Sequence, residues 1–128
     1  MKKSLVFVAL VAAALLVPSV AKAGCMATVG LSSLPKPGLA AGEPWIVTIR
    51  VLQHGRTPMS DAKPEVRIRN SKGMLIRFRA KPTGRVGSYR ARVVFPAAGV
   101  YKLGVYDGFP YAECARVHTF KSVVIAAV

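Results

Sequence analysis

Arginine recurs in pairs separated by a single residue: Arg67-Ile68-Arg69, Arg77-Phe78-Arg79 and Arg90-Ala91-Arg92. A planar guanidinium grips carboxylate or phosphate oxygens two at a time, so such pairs suit anionic partners. Residues two apart on a β-strand leave the same face. Each pair therefore sends two cations to one side and its middle residue to the other. Neighbouring strands would pool them into a cationic plate that meets a membrane headgroup surface, a cell-wall polymer or an acidic envelope protein. The plainer alternative is that these arginines only solvate an outer face.

Two smaller sets compete. His54, Met59 and His118 carry ligand chemistry that suits copper, Cu(I) above all. No His-x-His or Cys-x-x-Cys spacing gathers them, so no cofactor is expected, and copper stands as the alternative on a site the fold would have to assemble. Asp107-Gly108-Phe109-Pro110-Tyr111 is an aromatic segment ahead of Cys114. Its Phe109 and Tyr111 offer a second binding surface, or else cover one end of a core. Hydrolytic chemistry lacks its usual parts, since there is no Gly-x-Ser-x-Gly elbow and no Gly-rich phosphate loop. The chain has only 5 acidic residues, too dispersed for a carboxylate pair. A binding domain is expected, not an enzyme.

Strands must position these residues. Gly and Pro interrupt the chain roughly every eight to ten residues from Gly24 to Pro110, which is sandwich or barrel spacing. Between them apolar residues alternate: Trp45, Val47, Ile49 and Val51; then Met74, Ile76, Phe78 and Ala80; then Tyr89, Ala91, Val93 and Phe95. A period of two with one apolar face marks antiparallel strands covered on one side. Seven strands are expected, near 25–31, 45–53, 65–70, 74–80, 88–95, 100–107 and 117–125. Asn70-Ser71-Lys72-Gly73 reads as a tight hairpin turn. Pro96-Ala97-Ala98-Gly99 reads as another, bringing Phe95 and Tyr101 together. Alternation is poor after Tyr111, where β-branched Val117, Thr119, Val123, Val124 and Ile125 favour strand.

The first 23 residues read as a cleavable signal peptide, leaving one domain over 24–128. Lys2 and Lys3 precede an apolar run from Leu5 to Val17, and Ala21-Lys22-Ala23 is a small-x-small cleavage pattern. That run is shorter than the roughly 20 residues of a membrane span, so a retained anchor is the lesser reading. Lys22 stands where lipid attachment to Cys25 would want a Leu-like residue. The product would be secreted or periplasmic. Its net charge is strongly positive, +14 for the whole chain. Nucleic acid would fit that charge, but export and the lack of aromatics interleaved on the arginine face argue against it. In an oxidising compartment Cys25 and Cys114 most economically form one disulfide, with free thiols or a thiolate metal site as alternatives.

Two blocks carry a resemblance. One is Gly42-Glu43-Pro44-Trp45 with Gly55-Arg56-Thr57-Pro58-Met59-Ser60-Asp61-Ala62. The other runs from Gly87-Ser88-Tyr89 through Phe95-Pro96-Ala97-Ala98-Gly99-Val100-Tyr101. Together they resemble the YtkA-like and FixH-like exported bacterial domains over roughly residues 42 to 105. The resemblance implies an immunoglobulin-like antiparallel β-sandwich outside the cytoplasmic membrane, with no catalytic residues to carry over. FixH-like members are associated with assembly of copper-containing oxidases, so the resemblance adds a hint toward the copper alternative read from His54, Met59 and His118.

Overall fold

The structure is a computed structural model that describes residues 25–128. The expected signal peptide, 1–23, lies outside the described residues. Ten strands form in chain order: β1 Ala27–Leu31, β2 Pro44–Gln53, β3 Thr57–Pro58, β4 Glu65–Arg69, β5 Leu75–Arg79, β6 Lys81–Pro82, β7 Ser88–Val94, β8 Gly99–Tyr106, β9 Val117–Thr119 and β10 Val123–Ile125. No helix occurs among the described residues, and none is long and apolar enough there to cross a membrane.

The strands build two antiparallel five-stranded sheets. One runs β1-β2-β7-β6, with β3 also on β2; the other runs β10-β8-β4-β5, with β9 also on β8. The arrangement is sandwich-like. The alternating positions supply the inner faces: Val47, Ile49, Val51, Ala91 and Val93 from the first sheet, and Val66, Ile68, Leu103 and Val105 from the second, all buried. Phe95 and Tyr101 meet edge-to-face at 5.0 Å across the β7–β8 turn, and Tyr101 Oη donates to Ala97 O. The β4–β5 turn closes on Asn70, whose Oδ1 accepts from Lys72 N and Met74 N. In the β1–β2 loop, the Lys36 ammonium 2.8 Å from Glu43 holds that carboxyl below its usual range, helped by the Ala40 N–H.

The last expected strand, 117–125, is interrupted. β9 pairs Gly104 with Thr119, whereas β10 pairs Tyr101 with Val123. The first pairing sets three residues, 120–122, against only two on β8, which is a one-residue bulge. Across it the inward positions change parity, from His118 and Phe120 to Val123 and Ile125. Phe120 N–H still bonds Leu103 O, keeping the interrupted edge attached.

Tyr89 joins the core to the β3–β4 loop. Its hydroxyl donates to Met59 O at 2.5 Å, with the ring 2% exposed. Burial pushes this phenol above its ordinary value, and the Asp61 charge pushes the same way. The native state therefore keeps the Tyr89 proton to higher pH than the unfolded chain does. The stability linked to it is whole below about pH 10 and is lost as pH climbs through the raised value. Tyr89→Phe should flatten the alkaline fall in urea midpoint between about pH 9 and 11. An equally steep fall in the variant would assign it to other groups.

Candidate functional site: a basic groove between two sheet edges

β5 is the last strand of its sheet, and after Ala80 the chain crosses directly into the other sheet as β6. Ala80 N–H bonds Pro64 O at the crossover, and Lys81 then pairs with Arg90 of β7. The outward side chains of β5 and β7 thereby become the two walls of one groove. Phe78 and Ala91 turn inward, as the period of two requires, so Arg77 and Arg79 line one wall and Arg90 and Arg92 the other. Lys81, paired with Arg90, adds to the second wall. Ile46, half exposed and directly opposite Arg92, forms an apolar floor with Phe78 and Pro82.

Charge in this groove is nearly uncompensated. The side chains of Arg77, Lys81, Arg90 and Arg92 have no hydrogen-bond or ion-pair partner among the described residues. Arg79 reaches Glu65 only at 4.0 Å and is 89% exposed. Two unit charges 4 Å apart in water repel by about 1 kcal/mol, and less with salt. An anion seated between the walls would reverse the sign of several such terms together.

The other two predicted arginines are engaged elsewhere. Arg67 lies directly across from Arg77 on the outer face. However, Glu65 Oε2 accepts from its Nε and Nη2 at 3.2 and 3.1 Å. Its guanidinium also sits 4.3 Å over the Tyr106 ring, an aromatic on that face that the sequence pattern did not reveal. Arg69 Nη1 donates to Gly73 O and straddles the hairpin. The six arginines thus divide into a pair engaged elsewhere, Arg67 by a carboxylate and Arg69 by a main-chain carbonyl, and a four-arginine groove to which Lys81 adds. Lys81 was legible in principle, because 77, 79 and 81 continue the same period of two.

The aromatic loop is built for rigidity. Cys25 and Cys114 form the disulfide that ties β1 to the β8–β9 loop. Asp107, wholly buried, accepts Phe109 N–H at Oδ1 and Arg116 N–H at Oδ2. His118 Nε2 lies 2.9 Å from the same Oδ2; a carboxylate can only accept, so the imidazole proton belongs on Nε2. Gly108 adopts φ +66°, and a Cβ there would lie 2.1 Å from the Lys63 carbonyl carbon, so only glycine fits. Phe109 belongs to the core at 5% exposure, while Tyr111 projects outward with its ring 6.0 Å from Phe109. Only Tyr111 is presented to a partner.

The candidate copper ligands are differently placed. His54 is exposed at a left-handed corner after β2, φ 53°. Met59 is buried in the core, and His118 has given Nε2 to Asp107, leaving Nδ1 as its remaining ligand atom. Among the described residues no three His, Cys, Asp or Glu side chains are grouped to hold a metal ion. No buried side-chain nitrogen or oxygen there lacks a hydrogen-bond partner. Compared with protein-family models and with curated proteins, the sequence finds no match.

Proposed function

We propose that this is an exported, non-catalytic binding domain of the bacterial cell envelope that holds an anionic partner in the groove between β5 and β7. The observation that carries this reading is the convergence of Arg77, Arg79, Lys81, Arg90 and Arg92 from two sheets, with one distant carboxylate among them. The leader pattern and the disulfide both favour an oxidising compartment outside the cytoplasm. The strand order, β1-β2-β7-β6 against β10-β8-β4-β5, supports the immunoglobulin-like assignment. With the two sequence blocks it favours placing the chain beside the YtkA-like and FixH-like domains. Glu65 and Asp107 are both occupied by structural contacts, which leaves little for acid–base chemistry.

The test is a salt titration of binding to polyglutamate and to vesicles containing anionic lipid. Binding should weaken about tenfold or more between low and moderate salt. The fourfold variant Arg77→Gln, Arg79→Gln, Arg90→Gln, Arg92→Gln should lose at least about tenfold at low salt. Arg67→Gln with Arg69→Gln should bind nearly as the parent does. Equal losses per charge removed in the two variants would mean that net charge alone, and no groove, does the binding.

A further inference from the structure

The groove is bounded by an unused hydrogen-bonding edge. Asn70 N–H bonds Met74 O, and Ala80 N–H bonds Pro64 O. Between those two points the antiparallel β4–β5 ladder alternates, so Ile76 and Phe78 also aim their main-chain groups at β4. Leu75, Arg77 and Arg79 then aim their N–H and C=O groups away from the sheet, toward the groove. Among the described residues no strand pairs with that side of β5. Its inward residues Ile76 and Phe78 are only partly buried, so the apolar layer is incomplete along this rim.

The geometry points to an extended acidic peptide as the partner, added as a further strand on the free edge of β5. This rests on the groove being the binding surface, and it specifies what the groove takes. An added strand sets one residue opposite each residue of β5, on the same face. Carboxylates two apart would face Arg77 and Arg79, while the apolar residues between them would extend the layer of Ile76 and Phe78. The domain already contains a pairing of this kind on the other side of β5. There Glu65 stands opposite Arg79, its Oε1 4.0 Å from the guanidinium, with Val66 and Ile68 on the core side; Arg77 faces Arg67 and has no carboxylate opposite it.

A second copy of the chain is the wrong occupant. Antiparallel self-pairing centred on Arg77 sets that arginine against its own copy, and like charges directly opposite destabilise a sheet. Arginine on an edge strand is a known bar to indiscriminate edge pairing. Here it disfavours basic strands relative to acidic ones. Arg90, Arg92 and Lys81, on the facing wall, add attraction without competing for the main-chain groups of β5.

The experiment compares three probes on the processed protein: a capped peptide alternating valine and glutamate, the same peptide N-methylated at every second residue, and vesicles containing anionic lipid. The alternating peptide should bind at low salt, and it should slow hydrogen exchange at the amides of Leu75, Arg77 and Arg79 by at least about tenfold. N-methylation on the bonding side should weaken it by about tenfold or more. Equal affinity of the two peptides, or unchanged exchange at those three amides, overturns strand addition even while groove binding of anions stands. Vesicle binding without peptide binding overturns the peptide in favour of a lipid surface. If none of the three binds, the groove itself is not a binding site, and the underlying functional reading falls too.

Discussion

Opening the Cys25–Cys114 disulfide is expected to lower the stability of the domain by roughly 4 to 5 kcal/mol. The bridge joins residues 89 apart in sequence, across a Cα–Cα distance of 5.0 Å. A closure of that length removes much of the conformational freedom of the unfolded chain, and in the chain-entropy account the effect grows with the logarithm of the loop. Small domains have only about 5 to 15 kcal/mol of net stability, so the loss would be a large fraction of the whole. Urea titrations with and without reductant, repeated on Cys25→Ser with Cys114→Ser, measure it directly. Both should show a lower midpoint. The slope should also steepen, because the unlinked denatured chain exposes more surface. A change below about 1 kcal/mol would mean that the denatured state holds these ends together without the bond.

Asp107→Ala should cost about 3 to 5 kcal/mol. The carboxylate is fully buried and accepts three donors: the N–H groups of Phe109 and Arg116 and the Nε2–H of His118. Alanine leaves the two main-chain donors unsatisfied in a site that water enters poorly, at about 1 to 3 kcal/mol each. The imidazole, whose side chain is 28% exposed, can turn to solvent. His118→Ala is therefore expected to cost far less, about 1 kcal/mol or under. Asp107→Asn should fall between, since it keeps one acceptor for Phe109 and sets an amide N–H against the donors on the other side. Equal losses for His118→Ala and Asp107→Ala in urea midpoint would contradict this account. They would make the Asp107–His118 contact, rather than the main-chain donors, the anchor of the loop.

Much of this architecture was legible because one-sided strands write their burial into the sequence. Val47, Ile49 and Val51 alternate with polar neighbours and are buried as expected. Asn70 and Gly73 close their hairpin as their types require. The two shortest strands, Thr57–Pro58 and Lys81–Pro82, escaped notice because two residues carry no period and proline is depleted from strands. The poor alternation after Val117 has a physical cause. A single extra residue at 120–122 moves the inward set from even to odd positions, so no fixed period fits the whole stretch. The candidate site was half legible. Spacing places both members of each arginine pair on one face, but it does not tell which strands are neighbours. That information sits in the chain crossing after Ala80, which brings Arg77 and Arg79 beside Arg90 and Arg92. The Glu65 carboxylate that removes Arg67 from the plate lies two residues away in sequence, yet its reach depends on rotamers that no pattern encodes.

The position of the disulfide also decides how the domain answers a pull. Tension applied between Cys25 and the C-terminal end passes from sulfur to sulfur and bypasses every strand from β1 to β8. The segment after Cys114 carries the load: β9 and β10 are held on β8 by three register pairs each, and Ala126 bonds the β1–β2 loop at Leu39 and Ala41. Stretching would peel away that one interrupted ribbon and yield about 50 Å of slack, against roughly 350 Å for a chain without the crosslink. The groove and both of its walls would remain intact under load.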